Sequence, residues 1–301
     1  MKQIFTIFFL IATISINAQS NKSDSINYYL KACGGGFGSD TLTLKTIAIK
    51  NAGVNKATVQ YVINKMLESH GGMAKWNKSP TLSFTHILIF GQPLESEFWV
   101  SNELTEIKTE RTYHDWPVFN GRLASDGKKT WTENWQLDNP PGTNVNNIYY
   151  AMAMPWLTQS AGVTLQAEQV ETLPGDSTEY FIVKMTFVNN SKHSPHKYYK
   201  LFIHPQTFLL RGLEFNITYA PFLDLIGLPK EQKSLGPFTH IFYTHTKVDG
   251  LVFPEKYDSF DWQGHNSGRH IAYNYSIKKF FDLNRMKTTP ASKIADEKSD
   301  R

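Results

Sequence analysis

The feature that most constrains this chain is a succession of short alternating runs punctuated by tight-turn residues, from Thr81 to Phe281. "TLSFTHILIF", Thr81–Phe90, is the first clear one. Further β runs are expected at Glu97–Val100, Leu104–Tyr113, Gly121–Ser125, Lys129–Trp135, Val163–Gln169, Tyr180–Val188, Tyr198–Ile203, Leu209–Tyr219, His240–Val248, Leu251–Phe260 and Ile271–Phe281. Their joints carry turn chemistry at Asp126-Gly127, Pro174-Gly175-Asp176, His204-Pro205-Gln206-Thr207 and Asp249-Gly250. Asp126-Gly127 reads as a two-residue type I′ hairpin, because glycine accepts the positive φ that turn requires. Strands that follow one another through tight turns pair antiparallel. Eleven or twelve of them imply one large curved sheet, a barrel or a sandwich.

Before the strands, Asn55–Ser69 reads as a helix. Asn55 can cap it, Val59, Val62, Ile63, Met66 and Leu67 form one apolar stripe, and Gly71-Gly72 ends it. Two later stretches interrupt the strand pattern, "NVNNIYYAMAMPWLTQSAGV" over 144–163 and "APFLDLIGLPKEQKSLGPF" over 220–238. Both are rich in large apolar residues and are expected to be helical or looped. Residues 284–301 are polar and mixed in charge, and read as a disordered tail.

The N-terminus has the layout of a secretory signal peptide. Lys2 precedes an apolar run from Ile4 to Ile14, and Ala18 suits cleavage before Gln19. Residues 1–18 are therefore assigned as the signal, 19–54 as an extension of unassigned role, and 55–283 as the folded domain. Export to the periplasm or envelope of a bacterium, or secretion, follows from the leader. Removing Lys2 lowers a formal charge of only +4, and no basic stripe is present, which argues against a nucleic-acid partner. The single Cys33 forbids an intramolecular disulfide, so a hydrophobic core must hold the fold. "LKAC" around Cys33 looks only superficially like a lipidation box, because the residues before it are polar.

Several motifs in order, "HGGMAKW", "DGKKTW", "MPWLTQSAGV" and "YYKLFIHPQTFLLRG", resemble the bacterial outer-membrane lipoprotein carrier (LolA-like) superfamily. The resemblance spans roughly Asn55 to Phe281. It implies a mostly β, α+β fold: a strongly curved antiparallel sheet, an incomplete barrel, with short helices over its open side and acyl chains held in the hollow between them. Two departures matter. The turn that usually carries Asp before Pro has His204, and the arginine that ties lid to sheet in a true carrier is matched only by Arg111 as best candidate.

An acyl hollow needs wide apolar walls and a mobile cover. Each buried methylene contributes about 0.8 kcal/mol, offset in part by ordering and association entropy. The strands offer Phe84, Leu88, Phe98, Trp131, Trp135, Phe181, Val183, Phe202, Phe215, Phe242 and Phe281 as walls. The interruptions offer Tyr149, Tyr150, Met152, Met154 and Trp156, and Phe222, Leu223, Leu225 and Ile226, as covers. Trp131 and Trp135, four apart, are expected on one face of their strand. The same aromatics could equally make an ordinary core, as Trp76 and Trp116 are expected to do. Arg111, Arg122 or Arg211 would bind a headgroup if they pointed inward, and otherwise sit on the solvent face.

Catalytic and metal signatures are missing from the sequence. It has no His-Glu-x-x-His, Cys-x-x-Cys or Gly-x-Ser-x-Gly. "HSPH" at 193–196 and "GHNSGRH" at 264–270 lack further ligands at chelating spacing. His240 and His245, five apart, face opposite sides of a strand unless a bulge intervenes. The expectation is a monomeric, non-catalytic envelope protein without cofactor or metal that binds a lipid, a lipoprotein acyl chain or another apolar ligand. Peripheral contact with membrane or envelope proteins is compatible with it. The alternative is an envelope interaction scaffold without a ligand.

Overall fold

The structure is a computed structural model that describes residues 56–91, 97–187 and 196–295. The signal peptide, the extension, Cys33, Asn55 and His193 lie outside the described residues. Helix α1 (Lys56–Ser69) and a short α2 (Met73–Trp76) precede the sheet. The strands among the described residues are β1 (Thr81–Phe90), β2 (Glu97–Glu106), β3 (Thr112–Trp116), β4 (Gly121–Ser125), β5 (Thr130–Glu133), β6 (Val163–Ala167), β7 (Phe181–Phe187), β8 (Tyr198–Ile203), β9 (Leu210–Ile217), β10 (Leu235–Val248), β11 (Leu251–Phe260), β12 (Asn266–Ser276) and β13 (Lys293–Ala295). Helix α3 (Asn147–Leu157) lies between β5 and β6, and α4 (Ala220–Leu225) between β9 and β10.

All thirteen strands form one open antiparallel sheet, in the order β13-β5-β4-β3-β2-β1-β12-β11-β10-β9-β8-β7-β6. Two meanders, β1 to β5 and β6 to β12, meet where β1 pairs with β12. The link from β5 to β6 must therefore carry the chain from one side of the sheet to the far edge, and α3 lies in that link. Helices α1 and α3 cover the inner face, where their buried residues join Leu82 and Phe84 of β1, Val183 and Met185 of β7, Leu213 and Phe215 of β9, and Phe253 of β11 in the main core. The predicted α1 stripe, Val59, Val62, Ile63, Met66 and Leu67, is buried in that core. At the C-terminal end of α1, Gly71 has φ +94°, and a Cβ there would come within 2.1 Å of the Gly250 carbonyl oxygen. That close approach brings the helix end against the β10–β11 hairpin.

Several sequence expectations are corrected. Glu97–Val100 and Leu104–Tyr113 are not separate strands. One ten-residue strand runs through the polar Ser101-Asn102-Glu103, because Ser101 and Glu103 are buried in a polar belt described below. Strand β12 begins at Asn266, not Ile271, within "GHNSGRH". Gly268 lies against Leu88, whose Cδ1 would be 2.8 Å from an added Cβ, so this glycine marks close side-chain approach inside the sheet. Strand β10 begins at Leu235, inside the expected interruption. The Asp126-Gly127 turn is not two residues long. Ser125 pairs with Thr130, and the Asp126 carboxylate accepts hydrogen bonds from the backbone of Lys128 and Lys129, closing a four-residue loop. The two-residue hairpin is realised at Asp249-Gly250, both at positive φ, with Val248 paired to Leu251. In place of a tail from 284, the chain forms a 3-10 turn at Leu283–Met286 and then β13, which pairs with β5.

Candidate functional site

The trough of the sheet is filled by α3. This helix is apolar on all sides, which is the pattern of a helix buried all round. Tyr149 to Leu157 are all buried, and Met152, Ala153 and Met154 are 0 % exposed. A wall residue facing a space wide enough for water keeps accessible surface, so these side chains touch protein on every side. Trp156 stacks on Trp76 with ring centroids 4.5 Å apart and lies 5.2 Å from Phe253. The Tyr275 hydroxyl lies 2.8 Å from the Met152 sulfur.

The approach to α3 is the opposite in character. The helix starts from Asn146, held left-handed at φ 59° with no side-chain cap. Thr143 Oγ1, Asn144 Nδ2, Asn146 Oδ1 and Tyr149 Oη are buried without hydrogen-bond partners. Such orphaned polar atoms each cost free energy in the fold, on the order of 1–3 kcal/mol. Besides the Tyr275–Met152 contact, α3 is tied by Asn147, whose Oδ1 lies 3.3 Å from His196 Nε2, and by Tyr150, whose hydroxyl donates to Glu110 at 3.1 Å. Arg111, the expected tie, sits one residue further on. It pairs instead with Glu106 of its own hairpin at 2.6 Å and lies over the Phe281 ring.

The predicted wall residues divide by face. Cross-strand register puts Phe84 and Leu88 on the inner face with Glu103 and Trp99. Phe84 and Phe215 join the main core with Tyr150, Met152, Met154 and Trp156. Phe98 pairs with Ile89 and packs with Ile87, Val100 and Ile271 on the outer face. Trp131 is also outer, clustered with Leu104, Tyr113 and Phe281. Phe202 is outer as well, under Leu173 and Tyr180. Trp131 and Trp135 thus do not share a face. The strand ends at Glu133, and Asn134 at φ 48° breaks the alternation. Trp135 turns toward Trp116, and its indole N–H donates to the Asn139 carbonyl at 3.2 Å. Phe222 and Leu225 lie on α4, away from the main core: Phe222 packs against the separate cluster of Leu223, Ile226 and Leu235, and Leu225 is exposed. Arg122 pairs with Glu133, and Arg211 influences Asp176 and His204.

Sequence reasoning missed a buried polar belt across the middle of the inner face. It comprises His86 on β1, Ser101 and Glu103 on β2, His114 on β3, His240 on β10, Tyr257 and Ser259 on β11, and His270 on β12. Register places Glu103 opposite both Phe84 and His114, His86 opposite Ser101, Tyr257 opposite His270, and His240 opposite Ser259. His86 Nε2 and His270 Nδ1 share a 2.9 Å hydrogen bond, and His270 Nε2 meets Ser259 Oγ at 2.6 Å. The Tyr257 ring stacks on His270 at 4.2 Å, and His240 lies 5.7 Å from His270. Ser101 donates to Glu103 Oε1 at 3.0 Å, while Glu103 Oε2 and His240 Nδ1 have no partner.

Burial keeps this belt uncharged at neutral pH. It pushes the Glu103 carboxyl up to about 8, and His86, His114 and His240 down to about 3. For His86, neighbouring His240 and His114 add repulsion, and His270 is held well below its usual range for similar reasons. A neutral imidazole offers one donor and one acceptor, so the Ser259–His270–His86 chain can be satisfied in a single direction. The signal available in the sequence was parity: His86 follows Leu82 and Phe84 at two-residue spacing, the spacing of an inward row. His240 and His245 enter different networks. His245 Nε2 lies 3.0 Å from the Leu210 carbonyl and its ring 5.8 Å from His70, with register shifts in β10 between the two histidines. Among the described residues, no group of three His, Cys, Asp or Glu is arranged to hold a metal.

No protein-family pattern matches the sequence, and no curated protein does. Solved structures do match in fold. A LolA superfamily protein from Nitrosomonas europaea superposes with TM-score 0.50 at 10% identity, over 76% of this chain and 97% of that one. A DUF1329 family protein from Desulfovibrio piger gives 0.47 at 9% identity, over 76% and 97%. A putative outer membrane lipoprotein-sorting protein domain from Vibrio parahaemolyticus gives 0.46 at 10%, over 76% and 96%. The superposition on the Nitrosomonas europaea protein shows a likeness of fold alone: the open antiparallel sheet with its helices is LolA-like.

Proposed function

We propose that the protein is a non-catalytic envelope carrier that takes up an apolar ligand, a lipid or the acyl chain of a lipoprotein, between the inner face of the sheet and α3. The observation that carries this reading is the origin of the trough's filling. The sheet's side chains pack there against a separate crossover helix that is buried from Tyr149 to Leu157, and the segment leading into that helix leaves several buried polar atoms unpartnered. Such a cover gives up few polar contacts when it lifts. The wall it would uncover is apolar and aromatic, with Phe84, Phe215 and Phe253 against Met152, Met154 and Trp156. Methionines adapt to varied partners, which suits a surface that meets either protein or ligand.

The LolA-like fold agrees with this reading, as does the leader at residues 1–18, which would send the chain to the envelope. Among the described residues, no helix is long and apolar enough to cross a membrane. The test is mass spectrometry of the mature protein isolated from its native envelope under non-denaturing conditions. A co-purifying long-chain lipid, released on denaturation, is expected. A protein that is always empty, and takes up no lipid from vesicles, contradicts the proposal.

A further inference from the structure

The carrier reading names an apolar guest, but the inner face is not uniformly apolar. The belt of His86, Glu103, His114, His240 and His270 lies between two hydrophobic regions. On one side is the main core under α1 and α3; on the other is the cluster of Trp116, Leu123, Leu137 and Val145. Burying so many titratable side chains against the middle of a sheet opposes folding. Two of their polar atoms, Glu103 Oε2 and His240 Nδ1, have no hydrogen-bond partner, although Glu103 is only 4 % exposed and His240 only 6 % exposed. A core built only for stability would place apolar residues here.

We propose that this belt is the seat for the carboxyl group of a long-chain carboxylic acid, with the alkyl chain lying in the apolar trough beneath α3. The site presupposes the carrier function above and specifies its ligand class. Three features select the class. Among the described residues no lysine or arginine is buried, so none of them places a fixed cation there to match a doubly charged phosphate. Neutral imidazoles can gain a proton when an anion arrives, matching a single negative charge with a single positive one. Glu103, protonated at neutral pH, presents a donor to a carboxylate rather than a repelling charge. The titratable groups around the seat are those five side chains, with Tyr257 and Tyr275 of the neighbouring strands held protonated by burial.

The chemistry then requires a proton to accompany the ligand. A carboxylic acid is ionised in water at neutral pH. It enters a belt that is neutral, so one proton is taken up, onto an imidazole or the carboxylate, and the buried pair stays neutral overall. Between neutrality and about pH 8, where Glu103 itself titrates, affinity for the acid therefore falls by about tenfold for each unit of pH, whereas affinity for the matching alcohol does not.

The experiment is calorimetric titration of the lipid-stripped mature protein with dodecanoic acid, dodecanol and dodecyl phosphate, in buffers of different ionisation enthalpy. The expected result is that the acid binds roughly tenfold more tightly than the alcohol near pH 7, with uptake of about one proton. The comparison is between ligands on the unaltered protein, so it does not depend on a variant folding. Equal binding of acid and alcohol without proton uptake overturns the carboxyl seat and leaves the carrier function standing. Tighter binding of the phosphate overturns the choice of carboxylic acid. Binding of none of the three overturns the seat and the carrier function together.

Discussion

At the scale of single residues, Glu103 and the buried histidines oppose one another in their pH dependence. Glu103 has a folded pKa near 8, above its unfolded value of 4.5, so its contribution to stability is lost as pH rises through that window. His86, His114 and His240, with folded values near 3 against 6.5, lose stability as pH falls below about 6.5. Glu103→Gln removes only the first effect. Denaturant unfolding of the two proteins should show the variant gaining about 1.4 kcal/mol per pH unit relative to wild type between about pH 4.5 and pH 8, and nothing further above. A pH-independent difference would mean that Glu103 is already ionised in the fold. Trp156→Ala removes the stacking partner of Trp76 from a fully packed site. It should lower unfolding free energy by about 3–5 kcal/mol, read from the denaturant midpoint. The apolar stripe of α1 was legible because all its members obey one helical period. Glu103 was not, since "SNE", 101–103, reads as a break between strands until register shows its partners, Phe84 and His114. The substitution of His204 at the Pro turn is explained directly: its Nδ1 accepts from the backbone of Gln206 and Thr207, as an aspartate would.

At the scale of elements, α3 is the part whose role the sequence only half disclosed. Its composition marks it as buried, yet what it is buried in follows from topology: it rides the crossover between the two meanders. Tyr150→Phe removes its hydroxyl bond to Glu110 and leaves its ring in the core. The expected outcome is faster hydrogen exchange across 147–157 with a global stability loss of about 1 kcal/mol. Unchanged exchange in that segment would show that the bond does not hold the cover. Strands bounded by clear turns, such as β1, β4, β8 and β11, end where the sequence predicts them to end. Those that differ do so for local reasons: a buried glycine contact in β12 and a left-handed Asn134 after β5. Strand β13 is only three residues long and carries no period to read. It forms because β5 offers an unpaired edge. Cutting the chain after Asp282 should re-expose that edge and the Trp131 side chain beside Ile294, detectable as increased self-association in sedimentation.

At the scale of the whole molecule, turn chemistry and strand count disclosed one large antiparallel β structure but left sheet, barrel and sandwich open; the resemblance to the LolA-like superfamily pointed to an open sheet with helices over one side, and the crossover that α3 rides follows from the strand order. Which face each aromatic occupies was not readable, because a bulge or a single left-handed residue reverses every later side chain. The central claim is that ligand enters on the inner face, against α3, and not on the outer clusters where Phe98, Trp131 and Phe202 lie. A photoactivatable long-chain fatty acid, cross-linked to the mature protein and mapped by peptide mass spectrometry, tests this most directly. The account predicts labels on α3 and on the strands around Phe84 and Phe215. Labels confined to the outer clusters, or to exposed side chains such as Phe280, would contradict it.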